Sequence, residues 1–78
     1  MTVRLSGEDI VLSGACPVEE AEMLLRLLCG NPQAAVDWGR CEEAHAAVIQ
    51  VLLAARPRLL GPPAGAFLRE RIAPLLGG

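Results

Sequence analysis

Proline and glycine cut this chain into pieces too short for anything but a small layered fold. Breakers stand at Gly7, at Gly14 and Pro17, at Gly30-Asn31-Pro32, at Pro57 and at Gly61-Pro62-Pro63. The segments between them change periodicity in turn. Val3-Arg4-Leu5-Ser6 alternates apolar and polar, as a half-buried strand does. Gly7-Glu8-Asp9 supplies a turn, and Ile10-Val11-Leu12 resumes as a second strand ending at Ser13-Gly14. So short a connection pairs the two strands antiparallel.

Pro17 suits the first turn of a helix, where its missing N–H costs nothing. Glu19, Glu20 and Glu22 follow, and carboxylates there favour the positive end of the helix dipole. Val18, Ala21, Leu24, Leu25 and Leu28 recur at helical spacing and predict a buried stripe. Gly30 is the expected left-handed cap. Ala34-Ala35-Val36, an apolar run leading into Asp37, predicts a central strand. From Glu42 to Ala55 the pattern is helical. Ala44, Ala47, Val48, Val51, Leu52 and Ala55 share one face, with Glu43, His45 and Gln50 turned away. Pro57 stops that helix, and Arg58-Leu59-Leu60 predicts a last strand. Phe67, Leu68, Ile72, Leu75 and Leu76 predict a final amphipathic helix, broken late by Pro74.

The expected order is β-β-α-β-α-β-α in a single domain spanning residues 1–78. This is a small α/β fold with a mixed, mostly parallel four-stranded sheet packed with helices through right-handed crossovers. A domain of 78 residues buries only about 60% of its unfolded surface, so its core must be dense. At 53% hydrophobic residues the chain meets that demand with Leu and Ala, since Trp38 and Phe67 are its only aromatics.

Function is bounded by what is missing. The net charge is −2, every basic side chain is Arg and no basic run occurs, which argues against a nucleic-acid partner. The start, Met1-Thr2-Val3-Arg4-Leu5, has no apolar leader core, and Ala44–Ala55 is too short to cross a bilayer. The expectation is a cytoplasmic protein that does not span a membrane. Cys16, Cys29 and Cys41 contain no CxxC pair, which predicts reduced, buried or half-buried thiols rather than a disulfide framework or a zinc site. Thr2, Ser6 and Ser13 are the only hydroxyl side chains, His45 is the only histidine and there is no lysine. A Schiff-base or P-loop lysine is therefore excluded, and no elbow motif presents a serine to His45. A non-enzyme without cofactor or metal is expected.

The element order, with Ala35-Val36-Asp37-Trp38-Gly39 ahead of a helix beginning near Glu42, resembles the STAS domain, the family of the anti-sigma-factor antagonists. The resemblance runs from Val3 to Leu76. In that family a strand ends in an Asp-apolar-small signature, and an Asp-Ser-Ser-Gly-like or Asp-Thr-Gly-like run opens the next helix. On this pattern Asp37 falls on the strand-end Asp and His45 on the helix-opening Asp. Ala46 and Ala47 fall on the hydroxyl pair, Val48 on the small Gly and Ile49 on an apolar position. Regulatory members are phosphorylated at that hydroxyl, and alanine has no oxygen to accept a phosphate.

The resemblance implies a non-phosphorylatable bacterial regulatory module for protein–protein interaction. Its implied partner is an anti-sigma factor, a sensor kinase or another signalling component; separately, the high apolar load of so small a chain leaves a homodimer open. The alternative is a non-enzymatic accessory subunit of a transport complex, partnered with a transporter subunit. The docking surface it implies comprises Asp37, Trp38, Gly39, Arg40, Cys41, Glu42, His45, Ala46 and Gln50.

Each of these residues also has a plainer role. Trp38 is either a core residue on the face of Val36 or an interface anchor. Asp37 either caps the Gly39-Arg40 turn or pairs with Arg40. His45, one turn into the expected helix, is a polar member of a binding face, a pH sensor, a phosphohistidine, or a metal ligand beside Cys41 and Glu42. Glu42 and Glu43 are expected to complement the helix dipole. Cys41 near a helix start is either an inert or a reactive thiol.

Overall fold

A computed structural model describes residues 2–76. Its elements are β1 (Val3–Ser6), β2 (Asp9–Cys16), α1 (Glu19–Gly30), β3 (Val36–Ala44), α2 (Ala46–Ala55) and β4 (Leu59–Leu60). A π-helical turn (Leu68–Ile72) and a 3-10 turn (Ala73–Leu76) follow. The sheet order is β1-β2-β3-β4, with β1 antiparallel to β2 and the other neighbours parallel. The fold is thus a small mixed α/β domain with a four-stranded, mostly parallel sheet.

Local chemistry explains the first half. Gly7 takes φ +61 in the two-residue turn between the paired Ser6 and Asp9. That conformation twists a hairpin correctly and is open to Gly without a steric penalty. Helix α1 buries Leu24, with Ala21, Met23, Leu27 and Leu28 half-buried beside it. The stripe is narrower than expected, because Val18 and Leu25 stand about half exposed. Gly30 does not supply a left-handed cap. Asn31 follows the helix instead, and its side-chain amide donates to the Leu27 carbonyl at 2.9 Å. An amide donor thus satisfies a carbonyl that a backbone N–H would otherwise have to reach.

The register sets the two faces of the sheet. One row runs Leu5, Ile10, Val36, Leu59, and the next runs Arg4, Val11, Asp37, Leu60. Ile10 and Val36 are fully buried and belong to a core with Val3, Leu12, Leu24, Val48, Leu52, Leu68 and Ala73. Val11 and Asp37 keep partial access to solvent, and Arg4 and Leu60 are exposed. One face therefore holds the core, and the second row stays within reach of solvent.

The largest departure from expectation lies in β3. The strand continues to Ala44, and α2 begins only at Ala46 rather than near Glu42. Against β2 the register slips twice, from Val11–Asp37 to Ser13–Arg40 and from Gly14–Cys41 to Ala15–Glu43. Each slip sets one extra β3 residue against β2, as a bulge does. The buried positions fall at Val36, Trp38 and Cys41, so the period of two is broken, and the spacing imitates a helix.

The C-terminal end also differs in kind. β4 holds only Leu59 and Leu60, and the expected final α-helix is a π-helical turn passing into a 3-10 turn that contains Pro74. Leu68 and Ala73 are buried, whereas Phe67 and Leu75 are exposed. The segment is held against β3 by the Gly65 N–H, which donates to the Cys41 carbonyl at 3.0 Å. A Cβ at Gly65 would overlap the Glu42 carbonyl oxygen, so only glycine permits this approach.

Candidate docking surface

The outer half of β3 and the start of α2 meet where β2 ends. The His45 N–H donates to the Cys16 carbonyl at 2.9 Å, tying the first residue of the α2 turn to the end of β2. His45 has extended backbone (φ −60, ψ 149) and is the N-cap of α2, not a residue one turn inside it. Its Nδ1 accepts from the Ala47 N–H at 3.0 Å, satisfying one of the helix's free donors. Because Nδ1 accepts, the ring's proton sits on Nε2, and His45 shows that donor to solvent.

His45 and Ala46 are exposed, and Ala47 is half-buried. The first turn of α2 carries no acidic residue, so Glu42 and Glu43 are exposed strand residues and not dipole partners. Hydroxyl groups lie elsewhere. The Thr2 hydroxyl donates to Glu20 Oε1 at 2.9 Å, Ser6 closes β1, and Ser13 stands beside Arg40 in the register.

The remaining residues divide. Asp37 Oδ1 accepts from the Gly39 N–H at 3.0 Å, so the capping alternative is the one realised. Gly39, Arg40 and Glu42 are exposed on β3, and Gln50 is exposed on α2. Trp38 and Cys41 are corrections to the expected surface. They are only 2% and 0% exposed, and Trp38 Nε1 donates to the Gly61 carbonyl at 2.7 Å. A buried indole with a satisfied N–H is a core residue.

Two residues join the surface that the pattern did not mark. Glu43 and Phe67 line a cleft of about 160 Å³ with Glu42, Ala44 and Leu68, and Phe67 is 66% exposed. The available signal was that Phe67 is one of two aromatics, but its helical spacing assigned it to the core. The pairing of Cys41 with Cys16 was also missed, because only the register of β2 on β3 reveals it. Their sulfurs are 3.9 Å apart and both residues are buried. The contact between the two sulfurs holds the Cys16 thiol below its usual range, and the same contact, with burial, pushes Cys41 up.

Among the described residues no group of three His, Cys, Asp or Glu side chains is gathered to hold a metal ion. No helix among them is long and apolar enough to cross a membrane. Comparison with models of known families, with curated proteins and with solved structures finds no match to this chain.

Proposed function

We propose that this chain is a STAS-like interaction module that docks a protein partner through the start of α2 and the outer half of β3. It works in the bacterial cytoplasm on an anti-sigma factor or a sensor kinase. One observation carries this: α2 opens at the surface on His45-Ala46-Ala47, a helix start without a hydroxyl. In regulatory STAS proteins a phosphoryl group at this turn adds about −1.5 to −2 charges and changes the docking surface. Alanine closes that route, so docking here is constitutive.

The element order and the mostly parallel sheet support the same reading. So does the mixed chemistry of the patch, with Glu42 and Glu43 beside Phe67 in the cleft and Arg40, His45 and Gln50 exposed on β3 and the α2 segment. A polar rim around an apolar anchor is the usual anatomy of a transient interface. Capture from native lysate of the source cell tests the proposal. The wild type is expected to retain a stoichiometric partner, and Arg40→Ala and His45→Ala are expected to lose it while staying folded. Equal capture by all three, or a stoichiometric phosphate within residues 42–48 by intact mass, would sink it.

A further inference from the structure

The two buried thiols have no part in docking. Cys16 ends β2 and Cys41 lies in the bulged half of β3, and their sulfurs approach to 3.9 Å across neighbouring strands. Among the described residues the other partners of the two sulfurs are backbone carbonyls. Cys16 has only long contacts, 3.9 Å to the Ser13 carbonyl and 4.0 Å to the Thr2 carbonyl. Cys41 also reaches the Glu43 carbonyl at 3.4 Å. A soft metal ion would want further ligands, which the described residues do not bring together. Two sulfurs side by side, with no third ligand, suit one chemistry better: forming a bond to each other. That requires about 2 Å of further approach between the sulfurs.

We infer that Cys16 and Cys41 form an oxidisable dithiol, which hydrogen peroxide converts into an intramolecular disulfide linking β2 to β3. Cys16 is the attacking sulfur, because it keeps slight exposure where Cys41 has none, and the contact with Cys41 holds its thiol below the usual range. The Cys16 thiolate attacks one peroxide oxygen and the O–O bond breaks. Hydroxide leaves and takes up the Cys16 proton as water, giving a sulfenic acid on Cys16. The Cys41 sulfur then attacks the Cys16 sulfur, the S–O bond breaks, and a second water leaves with the Cys41 proton. Two thiols lose two electrons and two protons, and peroxide is reduced to two waters.

The bridge would form at the root of the surface described above. The Cys16 carbonyl receives the His45 N–H, and the Cys41 carbonyl receives the Gly65 N–H. Oxidation of the pair is nevertheless independent of any docking partner. Cys29 is exposed on α1 and would react on its own, so it is removed for the test.

The full chain carrying Cys29→Ser is treated with hydrogen peroxide while folded, then unfolded in an alkylating reagent and weighed intact. The expected product has lost the mass of two hydrogens and has no alkylatable thiol. Its digest contains a Cys16–Cys41 peptide that dithiothreitol separates. Adding Cys16→Ala is expected to abolish the mass loss. Two alkylatable thiols after treatment would overturn the inference, as would a gain of oxygen atoms without the mass loss, or a disulfide between two chains.

Discussion

The two halves of β3 do different work. Val36, Asp37 and Trp38 form the half that is flanked on both sides or packed against the core, with Val36 and Asp37 paired to both β2 and β4 without a slip. From Gly39 to Ala44 the strand has outrun β4, has slipped twice against β2 and buries fully only Cys41. The first half carries packing energy, and the second presents Gly39, Arg40, Glu42 and Glu43 to solvent. One strand can serve both ends because bulges re-aim side chains without breaking the ladder. The difference also explains why stability and recognition should separate on mutation.

Trp38→Ala tests the packed half and should have the largest effect. It empties the largest of the fully buried side-chain positions and strands the Gly61 carbonyl that the indole N–H satisfies. A loss of about 3–5 kcal/mol is expected for so large a cavity, read as a fall in the urea midpoint. A domain of this size has little stability to spare, so partial unfolding in water is also consistent with that magnitude. A loss under about 1 kcal/mol, at the scale of surface substitutions, would break the contrast between the halves.

Two glycines, one in the outer half and one packed against it, sharpen the contrast. At Gly65 a Cβ would overlap the Glu42 backbone, so Gly65→Ala must lift the C-terminal segment off β3 and should cost about 1–3 kcal/mol. At Gly39 the nearest atom to a new Cβ is Asp37 Oδ1 at 3.4 Å, and the site is exposed. Gly39→Ala should stay within about 0.5 kcal/mol of wild type. Paired denaturation curves decide it, and equal costs would mean that the Gly65 contact does not anchor the segment.

The same contrast marks how far the fold could be read without coordinates. The hairpin was legible because Gly7-Glu8 sits between an alternating segment and an apolar run, and α1 because the Leu24–Leu28 spacing lies between Pro17 and Pro32. Element order and the parallel sheet followed from alternation alone. The outer half of β3 was not legible, since two bulges erased its period of two and left Cys41-Glu42-Glu43-Ala44 looking like a helical start. That error moved His45 into a helix it only caps and placed Cys41 at the surface. Trp38 was ambiguous for another reason: a lone Trp beside an Asp fits a core and an anchor equally, and only packing distinguishes them. The thiol pair depends on register, which no local pattern encodes.

His45, where the outer half hands over to α2, gives the finest test. The imidazole does two separable things. Nδ1 accepts the Ala47 N–H and so supports the helix, while the Nε2 donor faces solvent and is available to a partner. His45→Ala removes both and should cost about 1 kcal/mol, the usual value of a lost N-cap. His45→Asn keeps an oxygen able to accept the Ala47 N–H but places no donor where Nε2 stands. It should therefore denature close to wild type and still fail to capture the partner. If Asn is as unstable as Ala, the cap is not what the ring contributes to folding. If Asn captures the partner as wild type does, the exposed nitrogen is not what the partner reads, and recognition moves to Arg40 and the cleft beside Phe67.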